Sequence, residues 1–303
     1  MDPLAKARSL LPRPGFPWSA GPVPRSVERL PSTRRRGSDY ETAWARRLPA
    51  RYARLFLLEG PLRLTVQALA APTVAGRDRL DALDGPVVFA ANHHSHLDAP
   101  LLLTAIPEPW RHRVVVAAAA DYFFTNRVTS AASALVLGAI PVERTKVSRR
   151  SAERATTLLK AGWSLLIFPE GGRSPDGWGQ GHKGGAAFLA LRAGVPVVPV
   201  HLEGTNRIFA KGDRTPKPGT TTVTFGEPLW PEEGDDARRF ALRIEKAVAI
   251  LADEATTDWW GARQRAAQGR TPSMIGPETS SWRRAWALES NRREAKRRTW
   301  PTI

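Results

Sequence analysis

The run Ala91-Asn92-His93-His94-Ser95-His96-Leu97-Asp98-Ala99-Pro100 places three histidines and a carboxylate directly after an apolar stretch that begins at Val87. Histidine changes charge near neutral pH. A carboxylate that accepts from one ring nitrogen leaves the other free to take a proton. His93 and Asp98 are five positions apart, about 140° around a helix, so they meet only if the chain turns between them. A strand-to-helix turn supplies that bend, and the resulting base and orienting acid could activate an alcohol. Asp98 could equally be no more than the cap of the following helix, with Pro100 harmless in its first turn.

A third reading takes His94, His96 and Asp98 as metal ligands. His-x-His-x-Asp resembles the opening ligands of metallo-β-lactamase-type hydrolases, which bind two zinc ions. In those proteins a histidine follows the aspartate, where this chain has Ala99. His112, His182 and His201 form no second cluster along the sequence, which argues against a binuclear site.

Downstream, Phe168-Pro169-Glu170-Gly171-Gly172-Arg173-Ser174 again follows an apolar run. Its glycines allow backbone amides to approach a ligand, and Arg173 has the fork that grips phosphate. Gly138-Ala139-Ile140-Pro141-Val142-Glu143-Arg144 ends in a second arginine, and Val195 to Val200 is an apolar run bracketed by Pro196 and Pro199. Each is weak alone, since a single arginine is commonly a solvated surface residue.

These segments need a scaffold, and the chain between them alternates short β-branched runs with helical patterns. Strands are expected at 87–90, 113–116, 140–142, 165–168, 197–200 and 221–225, with helices at 151–161 and 183–193. Phe240, Ile244, Val248 and Leu251 mark a last amphipathic helix. Such alternation predicts an α/β fold. Ahead of it, Leu55, Leu58, Leu62, Val66 and Leu69 make one apolar helical face, broken at Gly60 and Pro61, suited to the core or to a membrane interface.

The formal charge is +16, and it is concentrated at the ends. Residues 1–54 hold 12 Lys and Arg against 4 acids, and residues 255–303 hold 10 against 4. The chain therefore divides into a basic, Pro- and Arg-rich arm at 1–54, expected to be disordered, a nearly neutral domain at 55–254, and a Trp- and Arg-rich extension at 255–303. The extension carries Trp259, Trp260, Trp282, Trp286 and Trp300, and rings among arginines suit a headgroup interface or a cap on the core. Basic ends suit an anionic surface. A neutral middle argues against nucleic acid, although an adaptor without catalysis remains a competing class. Without cysteine there is no disulfide, thiolate metal site or thiol nucleophile. Neither a cleavable signal nor a membrane-spanning run is expected, which predicts a cytoplasmic protein held on the inner face of the cell membrane.

Taken together and in order, Asn-His-x4-Asp, Gly-x-Ile-x-Val-x-Arg, Phe-Pro-Glu-Gly-x-Arg-Ser and the Val-Pro block resemble the motif series of the glycerolipid acyltransferase family. The resemblance runs from about Leu83 to Phe225. It departs at Gly172, where the family has Thr, and at His182, where an aromatic residue is customary. It implies one domain with a mixed sheet flanked by helices. It implies His93 as general base on the hydroxyl of a lysophospholipid, by default 1-acyl-glycerol-3-phosphate, with Asp98 orienting it and no acyl-enzyme. Arg144, Glu170, Gly171, Arg173, Ser174 and Lys183 would hold the acceptor, and Pro196, Val197 and Pro199 would line the donor side. The donor would be acyl-CoA or an acyl carrier protein thioester, with neither metal nor bound cofactor.

Overall fold

The structure, a computed structural model, describes residues 37–143, 149–174 and 177–276. Seven strands make one sheet: β1 (Pro72–Ala75), β2 (Val88–Ala91), β3 (Val114–Ala119), β4 (Ala139–Val142), β5 (Ser164–Ile167), β6 (Val197–Glu203) and β7 (Thr221–Phe225). Their order is β1-β7-β6-β2-β5-β3-β4. Every pair is parallel except β6 with β7, so the sheet is mixed. The central strands β2 and β5 run between neighbours on both sides, and Val88, Phe89, Ala90, Leu165 and Leu166 are buried. That explains their near-continuous apolar sequence.

Six of the seven strands fall where the β-branched runs predict them. β1 is the exception. It is four residues long, begins with Pro72 and pairs only with β7, and a proline at the start of an edge strand costs no ladder bond.

Helices cover both faces. One side carries α1 (Leu48–Leu57), α2 (Arg63–Ala70) and α3 (Asp98–Ala105), whose Leu58, Val66 and Leu101 neighbours pack with Phe89, Val198 and Phe225. The other side carries α5 (Arg149–Lys160), α6 (Gly185–Ala193) and α7 (Ala237–Thr256), and there Ala155, Ala187, Phe240 and Ile244 meet Val88, Leu165 and Val197. A short helix, α4 (Arg127–Ala132), precedes β4, and α8 (Trp259–Ala267) follows α7.

Both expected domain boundaries cut through helices. α1 begins at Leu48 and buries Arg54, so 48–54 belongs to the fold; α7 runs to Thr256, past the boundary at 254. α8 is tied back by Arg265, which donates to both oxygens of buried Asp253 at 2.7 and 2.8 Å. Residues 37–47 are described as well and bury Thr42 and Ala45, whereas 1–36 of the arm and Trp282, Trp286 and Trp300 lie outside the described residues.

The apolar face expected from Leu55 onward is also rotated. A π turn at Leu58–Leu62, containing Pro61, adds a residue between α1 and α2 and shifts their phase. Leu58 and Val66 are buried, while Leu55 turns outward and joins Leu48, Tyr52 and Phe56 in an exposed apolar stripe.

Candidate active site

β2 ends at Ala91, opposite Val200. Asn92 then continues the ladder with its side chain: Nδ2 donates to the Leu202 carbonyl at 2.9 Å and Oδ1 accepts the Leu202 N–H at 2.7 Å. The amide imitates a peptide group, which lets the main chain turn out of the sheet at His93 while the buried edge of β6 stays satisfied.

The turn brings His93 Nδ1 to 2.8 Å from Asp98 Oδ2, and the same oxygen accepts the N–H groups of His94 and Ser95 at 2.7 and 2.8 Å. The carboxylate points back into the turn and makes no cap bond to α3, so the capping role alone does not describe it. Because a carboxylate can only accept, Nδ1 holds the ring proton and Nε2 is left bare. Asp98 is fully buried, whereas the His93 side chain keeps 20% of its surface exposed. Its ring stacks on Phe168, centroids 4.2 Å apart. Ser95 closes the turn, donating to the Phe209 carbonyl and accepting from Leu97 N–H.

His94, His96 and Asp98 do not converge as metal ligands. Asp98 Oδ2 is committed to the turn, and the His96 ring lies against Tyr122, whose hydroxyl is 3.0 Å from Nε2. Among the described residues the group whose ligating atoms converge is Glu59, Glu108 and His112, where Arg63 and Arg111 already pair with Glu59.

The Phe168–Ser174 loop lies against this turn. Ser174 N–H donates to the His93 carbonyl at 2.8 Å, and its hydroxyl accepts from Gly177 N–H. Gly171 has φ of 73°, and a Cβ there would sit 2.5 Å from Lys183 Nζ. The glycine therefore serves both the turn and the approach of an ammonium. Arg173 is half-buried in the same loop.

Glu170 does not fit the expectation that it grips the acceptor phosphate. It is 2% exposed, and its two oxygens are spent on backbone donors: Oε1 accepts His93 N–H at 2.9 Å and Oε2 accepts Gln180 N–H at 3.0 Å. Burial pushes its carboxyl up to about 7, with the charges of Asp98 and Glu245 adding to the effect and the two N–H bonds opposing it. Glu170 braces the loop.

The first residues of the Val-Pro block, Pro196 and Val197, are also not brought to the cleft. Register places Val197 beside Val88 and Pro199 beside Ala90, so Pro196 lies at the opposite end of the strands from His93. Val197 packs in the core with Val88, and the Pro199 carbonyl accepts from Gly226. Arg144 lies outside the described residues.

Sequence reasoning missed the peptide-like role of Asn92, the Phe168 stack, and a cavity of about 360 Å³ beside Glu170 closed partly by residues 269–275. Asn92 offered one signal, a polar residue ending a buried strand. The other two depend on chain returns that leave no local pattern.

A largely parallel sheet with a His–Asp pair just past the end of a central strand defines an α/β protein with its site where such sheets carry them. Residues 71–203 match the family model described as Acyltransferase. A Chlamydomonas reinhardtii protein named 1-acyl-sn-glycerol-3-phosphate acyltransferase is 30% identical over 212 residues, covering 68% of this chain and 55% of its own. The chloroplastic protein of that name from Brassica napus is 31% identical over 167 residues, 54% of this chain and 46% of its own. The human alpha form is 28% identical over 182 residues, 58% and 62% respectively. This chain thus spans about half the length of the curated relatives it matches. The fold is shared with the 1-acyl-sn-glycerophosphate acyltransferase PlsC of Thermotoga maritima, at a TM-score of 0.55 and 24% identity over 69% of this chain and 82% of that one. Residues 71–203 of this chain thus form an acyltransferase-family domain.

Proposed function

We propose that this protein transfers a fatty acyl group from a thioester, acyl-CoA or acyl carrier protein, to the free hydroxyl of 1-acyl-glycerol-3-phosphate, giving phosphatidic acid. The observation that carries the reading is the 2.8 Å contact between His93 Nδ1 and Asp98 on a partly open imidazole, in a domain of this family. Bare Nε2 takes the hydroxyl proton as the oxygen attacks the thioester carbonyl. The C–O bond forms, the C–S bond breaks, and the departing thiolate recovers the proton from the imidazolium. Asp98 holds the tautomer and offsets the charge. General-base help of this kind is worth roughly 10²- to 10⁴-fold in rate.

Arg173 and Lys183, with Arg144, are the cations proposed to meet the acceptor phosphate. No metal or cofactor takes part in the proposed step. The lipid substrates place the reaction at a membrane, and the exposed Leu48, Tyr52 and Phe56 stripe with basic neighbours Arg47 and Arg51 suits an anionic lipid surface on the cytoplasmic side. Among the described residues no helix is long and apolar enough to cross a membrane.

The test is a panel of lysolipids with palmitoyl-CoA, repeated with palmitoyl-acyl carrier protein, scored by product mass and thiol release. Phosphatidic acid formed from 1-acyl-glycerol-3-phosphate supports the reading. Thiol release indifferent to lysolipid, or none with either donor, overturns it.

A further inference from the structure

We propose that the C-terminal segment 269–276, which lies outside the 71–203 acyltransferase domain, positions His93 through a relay of main-chain hydrogen bonds ending on Glu170. As a positioning role, it rests on the function proposed above. Gly179 N–H donates to the Met274 carbonyl at 2.9 Å, and Gly179 forms a parallel bridge with Ile275. The next residue, Gln180, donates its N–H to Glu170 Oε2 at 3.0 Å, and Glu170 Oε1 accepts the N–H of His93 at 2.9 Å. Three hydrogen bonds therefore run from the segment to the main chain of the base. One buried side chain is their only non-backbone member.

The far end of the relay is anchored. α8 is clamped to α7 by the two-pronged contact of Arg265 with Asp253, and Arg265 also reaches Thr257 Oγ1 at 2.7 Å. The chain leaving α8 is thereby delivered back to the Gly179 loop. That loop is tied from its other end by His182 N–H donating to Glu245 at 2.6 Å. The cavity of about 360 Å³ lies between these ties, walled by Glu170, His182, Glu245, Thr271, Met274 and Ile275. The segment forms one wall, and Glu170 beside it is buried, a setting of low dielectric in which a hydrogen-bonded carboxyl holds its partners tightly. A base placed about 1 Å out of line costs roughly 10²-fold in rate.

The perturbation belongs at Gly179, which touches neither His93 nor any reacting atom. In Gly179→Pro the donor to Met274 is gone. In Gly179→Ala the donor stays, but the added Cβ would lie 3.2 Å from the Met274 carbonyl oxygen and press the segment outward by a few tenths of an ångström. Two readouts are taken on the full chain. Hydrogen exchange of the 88–96 peptide, without substrate, reads protection of the His93 amide; steady-state kinetics read kcat and KM for lysolipid and acyl-CoA.

We expect exchange at His93 to quicken at least tenfold in Gly179→Pro and less in Gly179→Ala. kcat should fall in the same order, tenfold or more for Pro, with both KM values within twofold of wild type. Unchanged exchange overturns the relay. Faster exchange with unchanged kcat overturns the positioning role, and a fall in melting temperature with kcat per folded molecule intact assigns the segment to stability alone. If Gly179→Pro fails to fold, the Ala variant decides by the same two readouts. A wild-type protein inactive on every lysolipid would instead remove the function on which the positioning rests, while the exchange arm still decides the relay.

Discussion

Replacing Asp98 by Asn removes one charge and almost no volume. Because Oδ2 takes all three bonds, from His93 Nδ1 and the N–H groups of His94 and Ser95, an Asn carbonyl at that position can keep the turn. Its NH2 would then fall where Oδ1 now lies, buried and with no hydrogen-bond partner among the described residues. An unsatisfied buried donor costs about 1–3 kcal/mol, a loss the fold should survive with a melting point several degrees lower. The kinetic cost is larger. The carbonyl still holds the proton on Nδ1, but the neutral amide no longer stabilises the imidazolium that forms when Nε2 takes the hydroxyl proton. A fall in kcat of roughly 10²- to 10⁴-fold follows, about 3–5 kcal/mol of barrier. His93→Ala should lose a similar amount, and the double variant little more, since the two side chains act as a unit. The assay is lysolipid-dependent thiol release, normalised to folded protein by circular dichroism. Turnover of Asp98→Asn within about threefold of wild type would refute the assignment, as would losses that multiply in the double variant.

Neighbouring glycines should respond oppositely to substitution. Gly171→Ala meets a positive φ and Lys183 Nζ, so activity and stability should both drop; Gly172→Thr meets nothing within 4 Å, so melting should not change and acceptor KM should fall. Equal effects of the two on melting would contradict this. Burial of His201, helped by the nearby His94, holds its imidazole down at about 4 against an ordinary 6.5. As pH falls from 6.5 to 4 the unfolded chain binds the proton first, so stability is lost across that window, at most about 3 kcal/mol from this group. Denaturant midpoints of wild type and His201→Leu, compared at each pH so that Glu170 and His182 cancel, should separate there; parallel curves would rule it out. Serines at Tyr52 and Phe56, 69% and 73% exposed, should weaken flotation with phosphatidylglycerol vesicles by tenfold or more, given about 1.5–3 kcal/mol per buried aromatic side chain. Unchanged flotation would move the membrane contact elsewhere.

Much of this protein is local, and what is local was legible. Strands β2, β5 and β6 declare themselves because buried parallel strands must be apolar throughout, and α7 because one stripe of a surface helix must be. The five-residue spacing of His93 and Asp98, directly after a strand, is enough to demand a turn and to suggest a base with its orienting acid. Chain order alone, however, left the same aspartate as cap, metal ligand or partner of His93. Only the folded turn, in which one oxygen collects three donors, separates these. Tertiary structure likewise decided that Glu170 is a brace, since its role depends on a His93 amide 77 positions away and on how deeply both are buried. It also decided that Pro196 and Val197 lie at the wrong end of the sheet, through a register that no single strand encodes. The phase of α1 was lost to one inserted residue at the π turn, and the return of segment 269–276 to Gly179 rests on the Arg265–Asp253 clamp. Periodicity reports which face of an element is buried; which distant partner lies against it is fixed by packing and by pairs of donors and acceptors that meet only once the chain is closed.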